Sequence, residues 1–152
     1  MRRSSQSGVT LIELLVVIVI ASAIIGLTFP SLMGGLAGVR LASSSSEVAS
    51  FLTSSMNTVE RRELGAAIVI SPKDNRLDVF TAASGNKPAR TYQPSAGITF
   101  EGEDVHRYLL FPGGAFPHIS VVLRNERGAR RSVEIDPVTA VPLVQRLEDA
   151  PR

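Results

Sequence analysis

The sequence predicts an α+β chain, in which a long membrane-spanning N-terminal helix packs its C-terminal half on an antiparallel β-sheet domain. Three observations carry that expectation. Residues 14–39 contain no charged side chain. Farther on, Val48, Phe51, Leu52, Met56 and Val59 recur at helical spacing, with Glu47, Ser50, Ser54 and Glu60 between them. After Arg62 the apolar period shortens from near 3.6 to near 2, the spacing of half-buried strands.

The N-terminal element comes first. A spanning helix needs about 20 predominantly apolar residues to cross a hydrocarbon core of about 30 Å, and residues 9–30 supply that length. The ionisable group inside this run is Glu13. A carboxylate in a membrane helix costs about 2.5–3.5 kcal/mol on insertion scales, which points to a partner or a task for it. Pro30 removes one backbone hydrogen bond and should kink or locally melt the helix, and Gly34, Gly35 and Gly38 weaken the next turns. Residues 31–62 read as an amphipathic continuation of the same helix. Ser43 to Ser46 within it are expected on a solvated surface.

The remaining residues, 63–152, form the expected β-rich domain. Candidate strands cover residues 66–71, 76–81, 97–101, 107–111, 118–124, 131–136 and 142–145. Turn signals separate them: Pro72-Lys73-Asp74-Asn75, Ser84-Gly85-Asn86-Lys87-Pro88, Pro112-Gly113-Gly114 and Asn125-Glu126-Arg127-Gly128.

Composition excludes several classes of function. The chain has 152 residues, the size of one ordinary domain, and 44% of them are hydrophobic, against wholesale disorder. Aromatics are 5% with no Trp, which argues against a stacking platform for single-stranded nucleic acid. The absence of cysteine excludes disulfides, thiolate metal sites and a thiol nucleophile. The formal charge of +2 lies at the front: removing Arg2 and Arg3 leaves as many basic as acidic side chains. The basic balance therefore belongs to a targeting segment.

That segment has more than one reading. Arg2 and Arg3 with the LLVVIVI run and Ala21-Ser22-Ala23 satisfy the pattern of a cleaved secretory signal, whose product would begin at Ile24. A plain anchor explains the length of the run but not the placement of Glu13. The stretch from Gly8 to Val17, however, resembles the class III signal of type IV pilins and type II secretion pseudopilins. It combines a short basic leader, a terminal Gly, a Glu five residues beyond it and an uninterrupted apolar run. The resemblance implies that residues 1–8 are a leader cut between Gly8 and Val9 by a prepilin peptidase, which also methylates Val9. Pro30 lies where this family commonly has a proline, whereas Val9 replaces the usual Phe or Met. Glu13 would neutralise the buried amine of Val9 in a neighbouring subunit, a pairing of charges that are expensive alone in a low dielectric.

The second half of the chain resembles the GspH/FimT group of minor pseudopilins and minor pilins. The residues concerned are Leu110-Phe111-Pro112-Gly113-Gly114, the strand Ile119 to Leu123, and Ser132 to Asp136. The resemblance implies a structural subunit without catalytic activity or cofactor, held in the bacterial inner membrane with its β-domain in the periplasm. Its partners would be the prepilin peptidase and methyltransferase, major and minor pseudopilins or pilins, the inner-membrane assembly platform and membrane lipid. Of the two machines, the type II secretion pseudopilus is read first, since the chain lacks the cysteine pair common in pilus subunits. The alternative is a type IV pilus minor pilin that primes assembly or binds DNA for uptake.

Other chemistry is not supported by pattern. His106 and His118 have no cysteine or acidic ligand set around them, so no metal is expected. Asp74-Asn75 and Glu101-Glu103-Asp104 lack the alternating ligands of a calcium loop. No G-x-S-x-G, P-loop or H-E-x-x-H is present. Arg124, Arg127, Arg130 and Arg131 form the one cluster suited to an anionic partner such as DNA, with Glu126 and Glu134 among them.

Overall fold

The computed structural model describes residues 10–147, and within them the side chains of all but residues 26–34. The expected leader, residues 1–8, and Val9 lie outside the described residues. By internal contacts the chain divides into two units, Met1–Leu36 and Ala37–Arg152.

One helix, α1 (Leu11–Arg62), accounts for the first third of the chain. Thr10 starts it: its carbonyl accepts from the amides of Glu13 at 3.1 Å and Leu14 at 3.2 Å, and its hydroxyl lies 3.3 Å from the Glu13 amide. This satisfies donors that a helix start leaves orphaned. The backbone is helical through position 30, so Pro30 does not end α1; its side chain and any kink there lie outside the described residues. Arg61 and Arg62 close the helix, where cations complement the carbonyl end of the dipole.

In the first unit the described side chains of residues 11–25 are all exposed, including a continuous series of Leu, Ile and Val. Among the described residues no helix is long and apolar enough to cross a membrane.

The second unit holds the core. Eight strands follow the helix: β1 (Ala66–Ser71), β2 (Arg76–Thr81), β3 (Arg90–Tyr92), β4 (Ile98–Phe100), β5 (His106–Leu110), β6 (Ile119–Asn125), β7 (Arg130–Ile135) and β8 (Pro142–Leu147). They form two antiparallel sheets, ordered β3-β2-β1-β5 and β4-β6-β7-β8. Inward-facing Ile68, Ile70, Leu77 and Val79 of the first sheet share one apolar cluster with Ile119, Val121, Leu123, Val133 and Ile135 of the second. The helix adds Leu41, Val48, Phe51, Leu52, Met56 and Val59, so the face expected from helical spacing is the one buried.

The expected strands are present, with ends moved by one to two residues; β3 is an addition, inside a stretch that reads as loop. The solvated surface expected for Ser43 to Ser46 is corrected in part. Ser44 and Ser45 are both 0% exposed, while Ser43 and Ser46 face solvent. Small side chains let the helix approach the sheets closely, and the Ser45 hydroxyl donates to the Leu41 carbonyl at 2.7 Å, one turn back.

Candidate functional site

Glu13 sits in the first turn of α1, held there by the Thr10 cap, and its side chain is exposed. Around it Leu11, Leu14, Leu15, Ile18 and Val19 present apolar surface to the surroundings. A carboxylate at a helix N-terminus is favoured by the dipole, and it lacks an ion-pair partner among the described residues. The arrangement offers an acid on an otherwise apolar rod.

The arginine cluster is divided by the pleat. Arg124 lies directly opposite Arg130 in the β6–β7 pair, and Arg131 lies opposite Leu123, whose side chain is in the core. Directly paired residues share a face and successive ones alternate. Arg124 and Arg130 are therefore on the outward face, whereas Arg131 is on the inward side at the sheet's end, beside Arg146 of β8. Arg127 belongs to the β6–β7 turn. Two like charges in register repel, and the structure offsets this with Glu101, whose Oε2 accepts from Arg130 Nε at 2.6 Å. The four guanidinium groups do not form one surface.

The histidines also separate. His106 is on β5 in the first sheet, stacked at 6.5 Å on Tyr108, and His118 precedes β6 in the second. Among the described residues no three His, Asp or Glu side chains gather into a metal site.

Residues 3–29 match the family model described as the prokaryotic N-terminal methylation motif. The structure resembles the Pseudomonas aeruginosa type IV minor pilin FimU in two crystal forms, each with a TM-score of 0.50. Identity is 14% and 15%, over 71% of this chain and 88% or 93% of that one. The fold is pilin-like. No curated protein matches this sequence.

Several residues that position the pilin-like domain were not legible as such beforehand. Asn75, at φ 50° in the β1–β2 turn, donates from Nδ2 to the Ile98 carbonyl at 2.9 Å and accepts at Oδ1 from the Phe100 amide at 2.9 Å. It fills the outer edge of β4 as a missing strand would, and ties one sheet to the other. Tyr92 of β3 donates to Glu47 Oε2 at 3.0 Å, and its ring lies 5.9 Å from that of Phe51. Arg90 sits 4.5 Å above the Phe51 ring and donates to Ser54 Oγ at 2.9 Å. Burial and the bond to Glu47 push the Tyr92 phenol up to about 12. Together these contacts pin the short β3 to the helix. The only advance signal was composition: Arg90 and Tyr92 lie two and four residues beyond Pro88.

Loop ends are fixed similarly. The Gly113 amide, at φ 65°, donates to both Glu60 oxygens at 3.1 and 3.3 Å. Asp136 accepts from the amides of Val138 and Thr139 at 2.8 and 2.9 Å, closing the β7–β8 turn. Those two bonds, with Thr139 the stronger, hold its carboxyl below the usual range.

Proposed function

We propose that this chain is a minor structural subunit of a type IV pilus-like filament, made as a prepilin and not a catalyst. The observation that carries the reading is the methylation motif over residues 3–29, joined to a pilin-like fold through one 52-residue helix with Glu13 in its first turn. In this reading the leader is cut between Gly8 and Val9, and the new amine of Val9 is methylated. Residues 9–30 then anchor the chain in the inner membrane, with residues 31–62 and the β-domain beyond it in the periplasm. Glu13 recruits the subunit by pairing with the amine of a neighbour, and Pro30 relaxes the helix.

The partners that follow are the prepilin peptidase, sister subunits, the assembly platform and membrane lipid. Of the two machines, the type II secretion pseudopilus is supported by the absence of any cysteine pair. The pilus reading is supported by the likeness to FimU. DNA binding through Arg124, Arg127, Arg130 and Arg131 belongs to the pilus reading, and the division of these residues between two faces weighs against it.

Intact mass and N-terminal sequencing of the protein from its native membrane test the reading. A mature chain beginning at N-methylated Val9 is expected; a chain beginning at Ile24 would mean conventional secretion and end the filament assignment. Glu13→Val should leave cleavage intact and prevent incorporation into filaments. Normal incorporation of that variant would refute the charge-pair role.

A further inference from the structure

The second unit contains a cavity of about 330 Å³, where the last turns of α1 face the start of β1, the end of β2 and the connection from β2 to β3. Its floor is apolar: Val59, Ala66 and Val79 belong to the buried cluster. The hollow exists because small residues stand where larger ones would fill it, Ala66 on β1 and Ala83 and Ala89 on the connection. Hydrogen bonds hold its walls in place. The Ala89 amide donates to the Val79 carbonyl at 2.7 Å, and Arg90 is tied to Ser54 of the helix at 2.9 Å. The Ser84 hydroxyl accepts from the Thr81 amide and donates to its carbonyl, each at 2.9 Å. A pocket fixed in this way needs little reordering before it binds.

The charges at this cavity are of one sign. Arg62 and Arg90 line it, and no acidic side chain does. Neither guanidinium has a carboxylate partner among the described residues. Arg90 is engaged by the Phe51 ring and Ser54, which leaves Arg62 as the cation to meet a ligand. The acids of the surrounding elements are occupied elsewhere. Glu47 accepts from Ser43 and Tyr92, Glu60 accepts from the Gly113 amide, and Asp74 and Asp78 pair with Arg76. Glu63 follows the helix outside the lining, and Arg61 and Lys87 on the same elements add positive charge. The Thr81 hydroxyl, on the inward side of β2 with Val79, makes no hydrogen bond among the described residues and can donate.

We propose that this cavity binds a medium-chain monocarboxylate, its carboxylate drawn to Arg62 and its alkyl chain lying on Val59, Ala66 and Val79. At about 30 Å³ for each water-sized group, the volume takes about eleven such groups, the size of decanoate and far short of a membrane phospholipid. The floor gains from hydrocarbon, whereas a neutral or cationic chain would leave the guanidinium of Arg62 without an acceptor. A peptide would carry its amides and carbonyls onto a floor that offers them no partner. The site is separate from Glu13 and stands or falls independently of the filament reading.

The natural chain has no cysteine, so Ala89→Cys places a single reporter thiol at the cavity wall, and Ser120→Cys places one on exposed surface of the second sheet. Both full-length versions are purified in nonionic detergent, checked by circular dichroism, and alkylated with iodoacetamide in the presence and absence of sodium decanoate. Decanoate should slow alkylation of Ala89→Cys at least about fivefold and leave Ser120→Cys unchanged. Decanol, which shares the chain and enters micelles, should slow it less than about twofold at the same concentration. Adding Arg62→Gln to the Ala89→Cys version should raise the decanoate concentration for half-protection about tenfold, the effect of one lost charge-assisted hydrogen bond. Absent protection, equal protection by decanol, equal slowing at Ser120→Cys, or indifference to Arg62→Gln each overturns the proposal. Protection by N-acetyl-leucyl-leucine in place of decanoate also overturns it, and makes the ligand a peptide end.

Discussion

Replacing Asn75 probes the joint between the two sheets. Its side chain makes two hydrogen bonds of 2.9 Å to the free edge of β4, and its backbone stands at φ 50°. Each bond contributes about 0.5–1.5 kcal/mol net, and both partners are backbone groups with no other strand beside them. Asn75→Gly keeps the backbone freedom and loses both bonds, so it should cost about 1–3 kcal/mol. Asn75→Ala loses the same bonds and adds about 1 kcal/mol for an L-residue in the left-handed region, giving about 2–4 kcal/mol. Asn75→Asp retains an acceptor for the Phe100 amide and lacks a donor for the Ile98 carbonyl, so it should fall short of the Ala variant's loss. The assay is denaturant unfolding of the full chain in detergent, with the slope checked for constancy so that midpoint differences report stability. In thermal melts the Ala variant should fall by about 8–16 °C, taking about 4 °C per kcal/mol. Gly and Ala variants each within about 0.5 kcal/mol of the natural chain would refute the stapling role, since surface changes without such contacts stay in that range.

Three further outcomes follow from the structure. The Tyr92 phenol, pushed up to about 12, holds its proton more tightly folded than unfolded, so stability is intact below about pH 10 and is lost between about pH 10 and 12; alkaline titration of tyrosinate absorbance should show a late component that Tyr92→Phe removes. Asp136 has the opposite sign: its lowered carboxyl favours the folded chain above the ordinary carboxylate value of about 3.9, and that contribution disappears as pH falls through the folded value. Asp136→Ala should flatten the acid limb of a stability-against-pH curve, and an unchanged limb would refute it. Ser132 is 2% exposed and its hydroxyl has no hydrogen-bond partner among the described residues, so Ser132→Ala should change unfolding free energy by less than about 0.5 kcal/mol. A loss above about 1 kcal/mol would reveal a partner for that hydroxyl.

Much of this architecture was legible because single physical rules dominate it. The charge-free run after Glu13 and the helical spacing through Val59 both depend on local periodicity, and both describe α1 as found. The hairpins β1–β2 and β6–β7 were announced by turn residues between alternating segments. Strand β3 was not, because three residues after a Pro-containing loop are too few to display a period; its place is set by Arg90 and Tyr92 reaching the helix. Ser44 and Ser45 misled because polarity was read as exposure, whereas a close helix–sheet approach selects for size. For the arginines the necessary signal was present: Arg130 and Arg131 are adjacent in a strand and so must point to opposite faces. The partners of Asn75 lie 23 and 25 residues away, and no local pattern specifies them.

The order in which strands enter the two sheets has a consequence for how the domain comes apart. The chain gives β1, β2 and β3 to the first sheet, lends β4 to the second, returns with β5 to complete the first, and ends in the second. The second sheet therefore takes one of its edge strands from within the chain segment that builds the first, so the two sheets are interleaved rather than consecutive. Such interleaving couples the loss of one edge to the loss of the other, so the unit should yield all at once or not at all. It also delays assembly, because β5 must find β1 across the intervening β2, β3 and β4, a non-local pairing of the kind that slows folding. A domain built this way trades speed of formation for resistance to partial opening.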